Sequence, residues 1–160
     1  IEVSFKNPKN TLTIGDDVYK LQQFHFHAPS ENEIDGQTYP LEGHFVYKTD
    51  NGKITVVSVL YNYGDENQAL KQIWDKMPQA ANTETELSQP ISLDDFYPED
   101  KDYYNFEGSL TTPPCTEGVN WIVFKNQETV SKEQVEKFTQ TLGFENNRPI
   151  QDTNGRQIKE

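Results

Sequence analysis

The sequence predicts a mainly β protein, built as a central, largely antiparallel twisted sheet with a few short peripheral helices. Two observations carry this reading. β-rich runs follow one another across Asp-Gly and Asn-Gly turn signals, and apolar residues at helical spacing are confined to two segments. Ile1-Glu2-Val3-Ser4-Phe5 alternates as a strand does. Residues 18–27 and 41–48 are strand-like runs separated by Glu33-Ile34-Asp35-Gly36-Gln37, which makes a hairpin. Asp50-Asn51-Gly52 then returns the chain into residues 54–61, and Asn-Gly is the strongest short hairpin cue. Within 66–77, Ala69, Leu70, Ile73, Trp74 and Met77 fall at helical spacing. Residues 78–108, with their Pro, Asp and Tyr, read as surface loop with little regular structure. Residues 119–125 form another strand. Ser131-Lys132-Glu133-Gln134 has the pattern of a capping box opening a helix, with Val135, Phe138 and Leu142 on one face.

Composition narrows the function classes. The 160 residues form one domain, 1–160, and 33% hydrophobic with 12% aromatic residues is the make-up of a soluble globular chain. A formal net charge of −12 argues against nucleic acid and anionic membrane as partners, because both attract basic patches. No apolar run approaches the roughly 20 residues that span a bilayer. The chain opens on Ile1, directly in a strand pattern, so an upstream portion of the domain is expected to be missing. Cys115 is the single cysteine, which allows no internal disulfide and leaves the redox compartment open.

The 3 histidines stand close together, as His25 and His27 in Phe24-His25-Phe26-His27 and His44 after Glu42-Gly43. Side chains two apart on a strand share a face and lie about 6.5 Å apart. His25 and His27 therefore project together, with Phe24 and Phe26 on the other side. His44 lies on the neighbouring antiparallel strand, where cross-strand Cβ atoms approach to about 5 Å, so the nitrogens can converge on one zinc ion at about 2.0 to 2.1 Å. A lone histidine is ordinarily a satisfied polar residue; a His-x-His pair with a third across the hairpin favours a metal site. Three protein nitrogens with a fourth position open distinguish a catalytic zinc centre from a closed structural one. The same parity sets Gln23 beside His25, Glu42 and Val46 beside His44, and Val56 on the strand beyond. Gln23 and Glu42 are thus candidates to fix the imidazole tautomers from behind.

Gln23-Phe24-His25-Phe26-His27, Ser30-Glu31, Glu42-Gly43-His44-Phe45-Val46 and the run from Gly108-Ser109-Leu110-Thr111-Thr112-Pro113-Pro114-Cys115 to Asn120-Trp121 together resemble the α-class carbonic anhydrases. His27-Ala28-Pro29-Ser30-Glu31 and Pro113-Pro114-Cys115 are similar to the secreted bacterial branch. The resemblance covers essentially the whole chain, while the family domain would begin before Ile1. It implies an α-carbonic anhydrase fold, N-terminally incomplete, and zinc-dependent reversible hydration of carbon dioxide to bicarbonate and a proton. Under it, His25, His27 and His44 match the zinc ligands. Thr111 matches the residue that accepts the proton of zinc-bound hydroxide and donates its own to Glu31, and its backbone N–H would help position a substrate oxygen. Gln23, Glu42 and Asn146 match the groups behind the three ligands. Val46, Val56, Leu110, Thr112, Val119 and Trp121 match the substrate pocket. The resemblance also implies a periplasmic or extracellular location and leaves the oligomeric state open.

Departures from the family pattern carry their own expectations. The histidine that usually shuttles protons would lie upstream of Ile1, so no proton shuttle is present in this chain, and transfer would fall to water chains or carboxylates such as Glu2. Phe106 stands where a tyrosine is usual. Asn32 and Tyr47 replace histidines frequent near the site, and Asn147 replaces a tryptophan; these are expected to alter packing and solubility rather than chemistry. Cys115 matches a cysteine that often pairs with an N-terminal one, so here it is expected as a free thiol. Two other readings stand beside the enzyme: a truncated chain that binds zinc without useful turnover, and a cupin-type metalloenzyme. His25, His27 and Glu31 satisfy the cupin His-x-His-x-x-x-Glu pattern, but the glycine and proline spacing expected beyond it is not met around His44.

Overall fold

The computed structural model describes residues 1–5 and 9–160. Its described strands are β1 (Glu2–Ser4), β2 (Thr11–Ile14), β3 (Asp17–His27), β4 (Leu41–Lys48), β5 (Ile54–Tyr63), β6 (Tyr103–Ser109), β7 (Glu117–Phe124) and β8 (Glu128–Val130). They form one sheet in the order β1-β3-β4-β5-β7-β6, with β2 also on β3 and β8 also on β5. The predicted hairpins are present. β3 and β4 pair antiparallel, and the Ile34-Asp35-Gly36-Gln37 excursion between them closes by reciprocal backbone hydrogen bonds of 3.2 and 2.9 Å. Asp35 and Gly36 both have positive φ there, 52° and 74°, as a tight primed turn requires. β4 and β5 pair antiparallel around Asn51-Gly52, with Gly52 at φ 93°.

Three features were not foreseen. β5 pairs parallel with both β7 and β8. β2 joins β3 through the two-residue turn Gly15-Asp16. The expectation of an irregular 78–108 fails at its end, because β6 occupies Tyr103–Ser109, antiparallel to β7. Tyr104 and Phe106 alternate onto one face of β6, and Phe106 stacks on Trp121 at 6.1 Å with the rings 3° from parallel. A short 3₁₀ turn also covers Leu93–Asp95.

The sheet's two faces are unequal. One carries the main core: Tyr19, Leu21, Phe24 and Phe26 of β3, Phe45 and Tyr47 of β4, and Val57, Val59 and Tyr61 of β5, covered by α1 (Gln68–Trp74), α2 (Lys132–Leu142) and Phe96. α2 opens with the predicted Ser131–Gln134 capping box and ends at Gly143 in the left-handed region. The Gln134 amide also bonds the backbone of Asn67, the N-cap of α1, and Trp74 Nε1 donates to Gln134 O at 2.9 Å. The other face carries a smaller cluster of Tyr39, Val56, Leu60, Val119, Trp121 and Val123.

β3 reaches both the core and the site through a bulge. Its register with β4 shifts between Leu21 and Gln23, and one extra residue reverses which face each side chain takes. Tyr19 and Leu21 before the bulge therefore share the core face with Phe24 and Phe26 after it, leaving Gln23, His25 and His27 together on the opposite face.

Gly43 sits opposite Phe26 in the β3–β4 ladder, and a Cβ there would come 3.0 Å from Phe26 Cε1. Phe26 lies between the paired histidines, so a methyl group at this point presses on the strand that holds them. We expect Gly43→Ala to lower unfolding free energy by about 1–3 kcal/mol, the usual cost of overpacking, measured as a reduced urea midpoint at unchanged slope.

Candidate metal centre

Strand alternation delivers the three histidines to one place. His25 and His44 are direct partners across β3 and β4, and His27 lies opposite Glu42. Ring centroids are 5.0 Å apart for His25 and His27, 5.4 Å for His25 and His44, and 4.6 Å for His27 and His44. Among the described residues, His25, His27 and His44 form a cluster able to hold a metal ion, with one ligand atom from each within 4.8 Å of the others.

Neighbouring acceptors decide which nitrogen of each ring is bare. His25 Nδ1–H donates to Gln23 Oε1 at 2.8 Å, which leaves Nε2 with a lone pair. His27 Nδ1 lies 3.0 Å from the Asn146 backbone carbonyl, an oxygen that can only accept, so this Nδ1 carries the hydrogen and Nε2 is bare. That Nε2 is buried without a hydrogen-bond partner. His44 Nε2 lies 2.9 Å from Glu42 Oε1, which turns its Nδ1 toward the cluster. The donor set is thus three imidazole nitrogens, a set that fits zinc and other first-row divalent metals.

Electrostatics favours neutral rings at His25 and His27. Burial, then the neighbouring His44 and His27 rings, hold His25 down at about 2. Burial and His44 hold His27 at about 4, although the Asn146 carbonyl opposes the shift. Glu42 is wholly buried; burial by itself would raise its carboxyl, but His44 and hydrogen bonds from His44, Ser58 and Asn32 outweigh this and hold it at about 2.

Asn146 acts through more of itself than its side chain. Its carbonyl takes the His27 hydrogen bond, while its side-chain amide accepts from Ala28 N at 3.0 Å and donates to Phe26 O at 2.8 Å, pinning the backbone on both sides of His27. Glu31 lies under the cluster. Its Oε1 accepts from the backbone N–H of Arg148 at 2.6 Å and lies 3.2 Å from His27 Nδ1, and Oε2 lies 3.9 Å from His44 Nδ1. Burial raises the Glu31 carboxyl, against His44 and hydrogen bonds from Thr111 and Arg148. The Arg148 contact gave no sequence signal, since any residue but proline supplies a backbone N–H there.

Val46, Val56, Leu110, Val119 and Trp121 belong to the smaller apolar cluster, and the Trp121 ring meets His44 edge-on at 4.9 Å. Trp121 Nε1 donates to Ser109 O at 3.0 Å, at the start of the loop that carries Thr111. Thr112 is exposed, its carbonyl accepting from Cys115 N in a turn. Tyr47 points to the other face of the sheet, where its hydroxyl meets that of Tyr97 at 2.9 Å, so it is not near the histidines. Asn32, by contrast, donates directly to Glu42 Oε1 at 2.6 Å. Cys115 is a free, partly buried thiol.

A twisted β-sheet presenting three inward imidazoles over a buried carboxylate is a site able to hold a metal ion. All of residues 1–160 match the family model of the eukaryotic-type carbonic anhydrases, and the chain belongs to that family. It is 47% identical to a carbonic anhydrase of Neisseria gonorrhoeae over 160 residues, covering 100% of this chain and 63% of that protein. To a carbonic anhydrase of Pectobacterium carotovorum it is 45% identical, over 95% of this chain and 62% of the relative. The fold is similar to the solved α-carbonic anhydrase of Thermovibrio ammonificans in complex with sulfanilamide, with a TM-score of 0.96 and 43% identity over 99% of this chain and 70% of that one. The chain thus spans less than two thirds of the length of the curated relatives it matches.

Because His25 and His27 have lowered pKa values, the unfolded chain takes up protons that the folded chain refuses once pH drops below about 6.5. Stability of the metal-free chain is therefore full near neutrality and declines as pH falls toward 4, with the Glu42 contribution lost at still lower pH. Urea midpoints of chelator-treated protein are expected to fall steadily from pH 7 to pH 4; a flat profile over that range would contradict the neutral-imidazole assignment.

Proposed function

We propose that this chain is a zinc-dependent carbonic anhydrase that adds water to carbon dioxide and releases bicarbonate and a proton. The observation that carries the proposal is the cluster of three imidazoles able to hold one metal ion, with the outward nitrogens of His25 and His27 hydrogen-bonded and that of His44 set 2.9 Å from the Glu42 carboxylate. Family membership supports the same reading.

His25 Nε2, His27 Nε2 and His44 Nδ1 would hold the ion. When bound, zinc supplies a water acidified to a pKa of about 7, a value established for carbonic anhydrases themselves rather than read from this chain. The chain's own residues do the rest. Gln23, the Asn146 carbonyl and Glu42 keep the hydrogens on the outer ring nitrogens. Glu31, anchored by the Arg148 N–H, takes the Thr111 hydroxyl hydrogen, so Thr111 Oγ offers only a lone pair to the reacting water and orients its remaining lone pair toward carbon. Val46, Val56, Leu110, Val119 and Trp121 give carbon dioxide an apolar resting place, which a substrate with few hydrogen-bonding handles needs. The exposed Thr112 would border the mouth of that pocket. Every histidine of the chain is used as a ligand. Proton export would rest on water and on exposed carboxylates such as Glu2, which lies opposite His25 in the β1–β3 ladder. A periplasmic or extracellular address is proposed on the likeness to secreted bacterial members alone.

Stopped-flow hydration of carbon dioxide by the zinc-loaded chain tests this. We expect one zinc per chain and a turnover that rises with buffer concentration. His44→Ala should abolish activity, and Thr111→Ala should reduce it by roughly 10²-fold, the scale of losing one positioned hydrogen-bonding group. Zinc binding with no turnover at any buffer concentration would replace the proposal with that of a zinc-binding chain lacking useful activity. Bound iron with dioxygen uptake would favour the cupin chemistry.

A further inference from the structure

We propose that Asn32 and Ser58 are positioning residues for the metal centre: together they lock the Glu42 carboxylate against His44 and so fix which His44 nitrogen faces the metal. The inference rests on the zinc reading above, but its geometry belongs to the chain itself.

Glu42 is fully buried, and both of its oxygens are crowded with donors. Oε2 accepts from the backbone N–H of Glu31 at 2.6 Å and of Asn32 at 2.9 Å. Oε1 accepts from Asn32 Nδ2 at 2.6 Å and from Ser58 Oγ at 2.5 Å, and lies 2.9 Å from His44 Nε2. A carboxylate offers about four lone-pair positions, so these contacts leave it no vacant direction in which to turn. Asn32 grips it twice, through its backbone on one oxygen and its side chain on the other, which sets the plane of the group. Ser58 faces His44 directly across β4 and β5 and approaches the same oxygen from the next strand. Both side chains are uncharged, so they orient the carboxylate without competing for its charge, which remains directed at His44.

His44 differs from the other two histidines in this respect. His25 is held by a neutral amide and His27 by a backbone carbonyl, each with its own fixed geometry. His44 depends on a flexible acid side chain, and that side chain needs clamps of its own. Without the Asn32 amide, Oε1 can swing away from Nε2, and the His44 proton is then free to occupy Nδ1, the nitrogen required for the metal.

The test uses the full chain with Asn32→Ala, Ser58→Ala and Asn32→Asp. Two quantities are read: the zinc dissociation constant by competition with a chromophoric chelator, and the His44 tautomer in the metal-free chain by long-range proton–nitrogen NMR. Asn32→Ala should weaken zinc binding 10- to 100-fold, the range typical of groups behind metal ligands and one that carbonic anhydrases helped to establish. Ser58→Ala, which removes one contact, should weaken it less, and Asn32→Asp, which sets a second carboxyl against Glu42, more. His44 should show a mixture of tautomers in these variants while His25, held by Gln23, keeps one. Variants with lowered urea midpoints, zinc affinity within twofold of the parent and His44 still protonated only at Nε2 would overturn the proposal and leave these residues a merely structural role. If Asn32→Ala does not fold, Ser58→Ala decides by the same two readouts. An unmutated chain that binds no zinc defeats the zinc reading, and the tautomer measurement still decides this one.

Discussion

An imidazole binds a metal only through a nitrogen that carries no hydrogen, and a neutral ring has one such nitrogen to offer. The whole site follows from arranging that choice three times on one sheet face. Gln23, the Asn146 carbonyl and Glu42 each stand behind one ring and engage its outer nitrogen, which sends the lone pairs of His25, His27 and His44 inward. The arrangement needs a dry setting. Burial that holds His25 at about 2 and His27 at about 4 keeps both rings neutral at physiological pH, so protons compete little for the ligand nitrogens.

The sheet supplies that setting by dividing its faces. Phe24 and Phe26 alternate with His25 and His27, so the interaction that anchors β3 in the core is the one that aims the histidines away from it. Phe24 stacks on Phe45 at 4.9 Å, and Phe26 meets Trp74 edge-on at 5.0 Å. Each such buried ring contributes on the order of 1.5–3 kcal/mol, which gives the ligand strands a rigid backing. The bulge before Gln23 lets an 11-residue strand keep a buried face throughout although its parity changes midway. Gly43 leaves the space that the Phe26 ring approaches.

What was legible in the sequence is what local chemistry decides. The hairpins, the capping box that opens α2, the apolar spacing of α1 and the facing of His25 and His27 depend on turn residues, a cap and periodicity within a few positions, and each was read from the chain. The parallel pairing of β5 with β7 and β8 joins residues more than 60 positions apart and leaves no local mark. β6 was obscured because its Tyr, Asn and Glu residues are half exposed at the edge region of the sheet, although the Tyr104 and Phe106 alternation was available as a signal. Gly15-Asp16 was likewise a readable turn. Of the candidate site residues, those on β3, β4, β5 and β7 come together because alternation carries them there. Thr112 lies on a turn and escapes that rule, and the contributions of the Asn146 carbonyl and the Arg148 N–H are backbone atoms that no side-chain pattern announces. Tyr47 packs in the core, and Asn32 donates to the acid behind His44.

X-ray absorption at the zinc edge of the loaded chain tests this account most directly. The account predicts a four-coordinate shell of three imidazole nitrogens at about 2.0–2.1 Å with one further light atom. A shell of five or six oxygen and nitrogen atoms, or a sulfur at about 2.3 Å from Cys115, would contradict it.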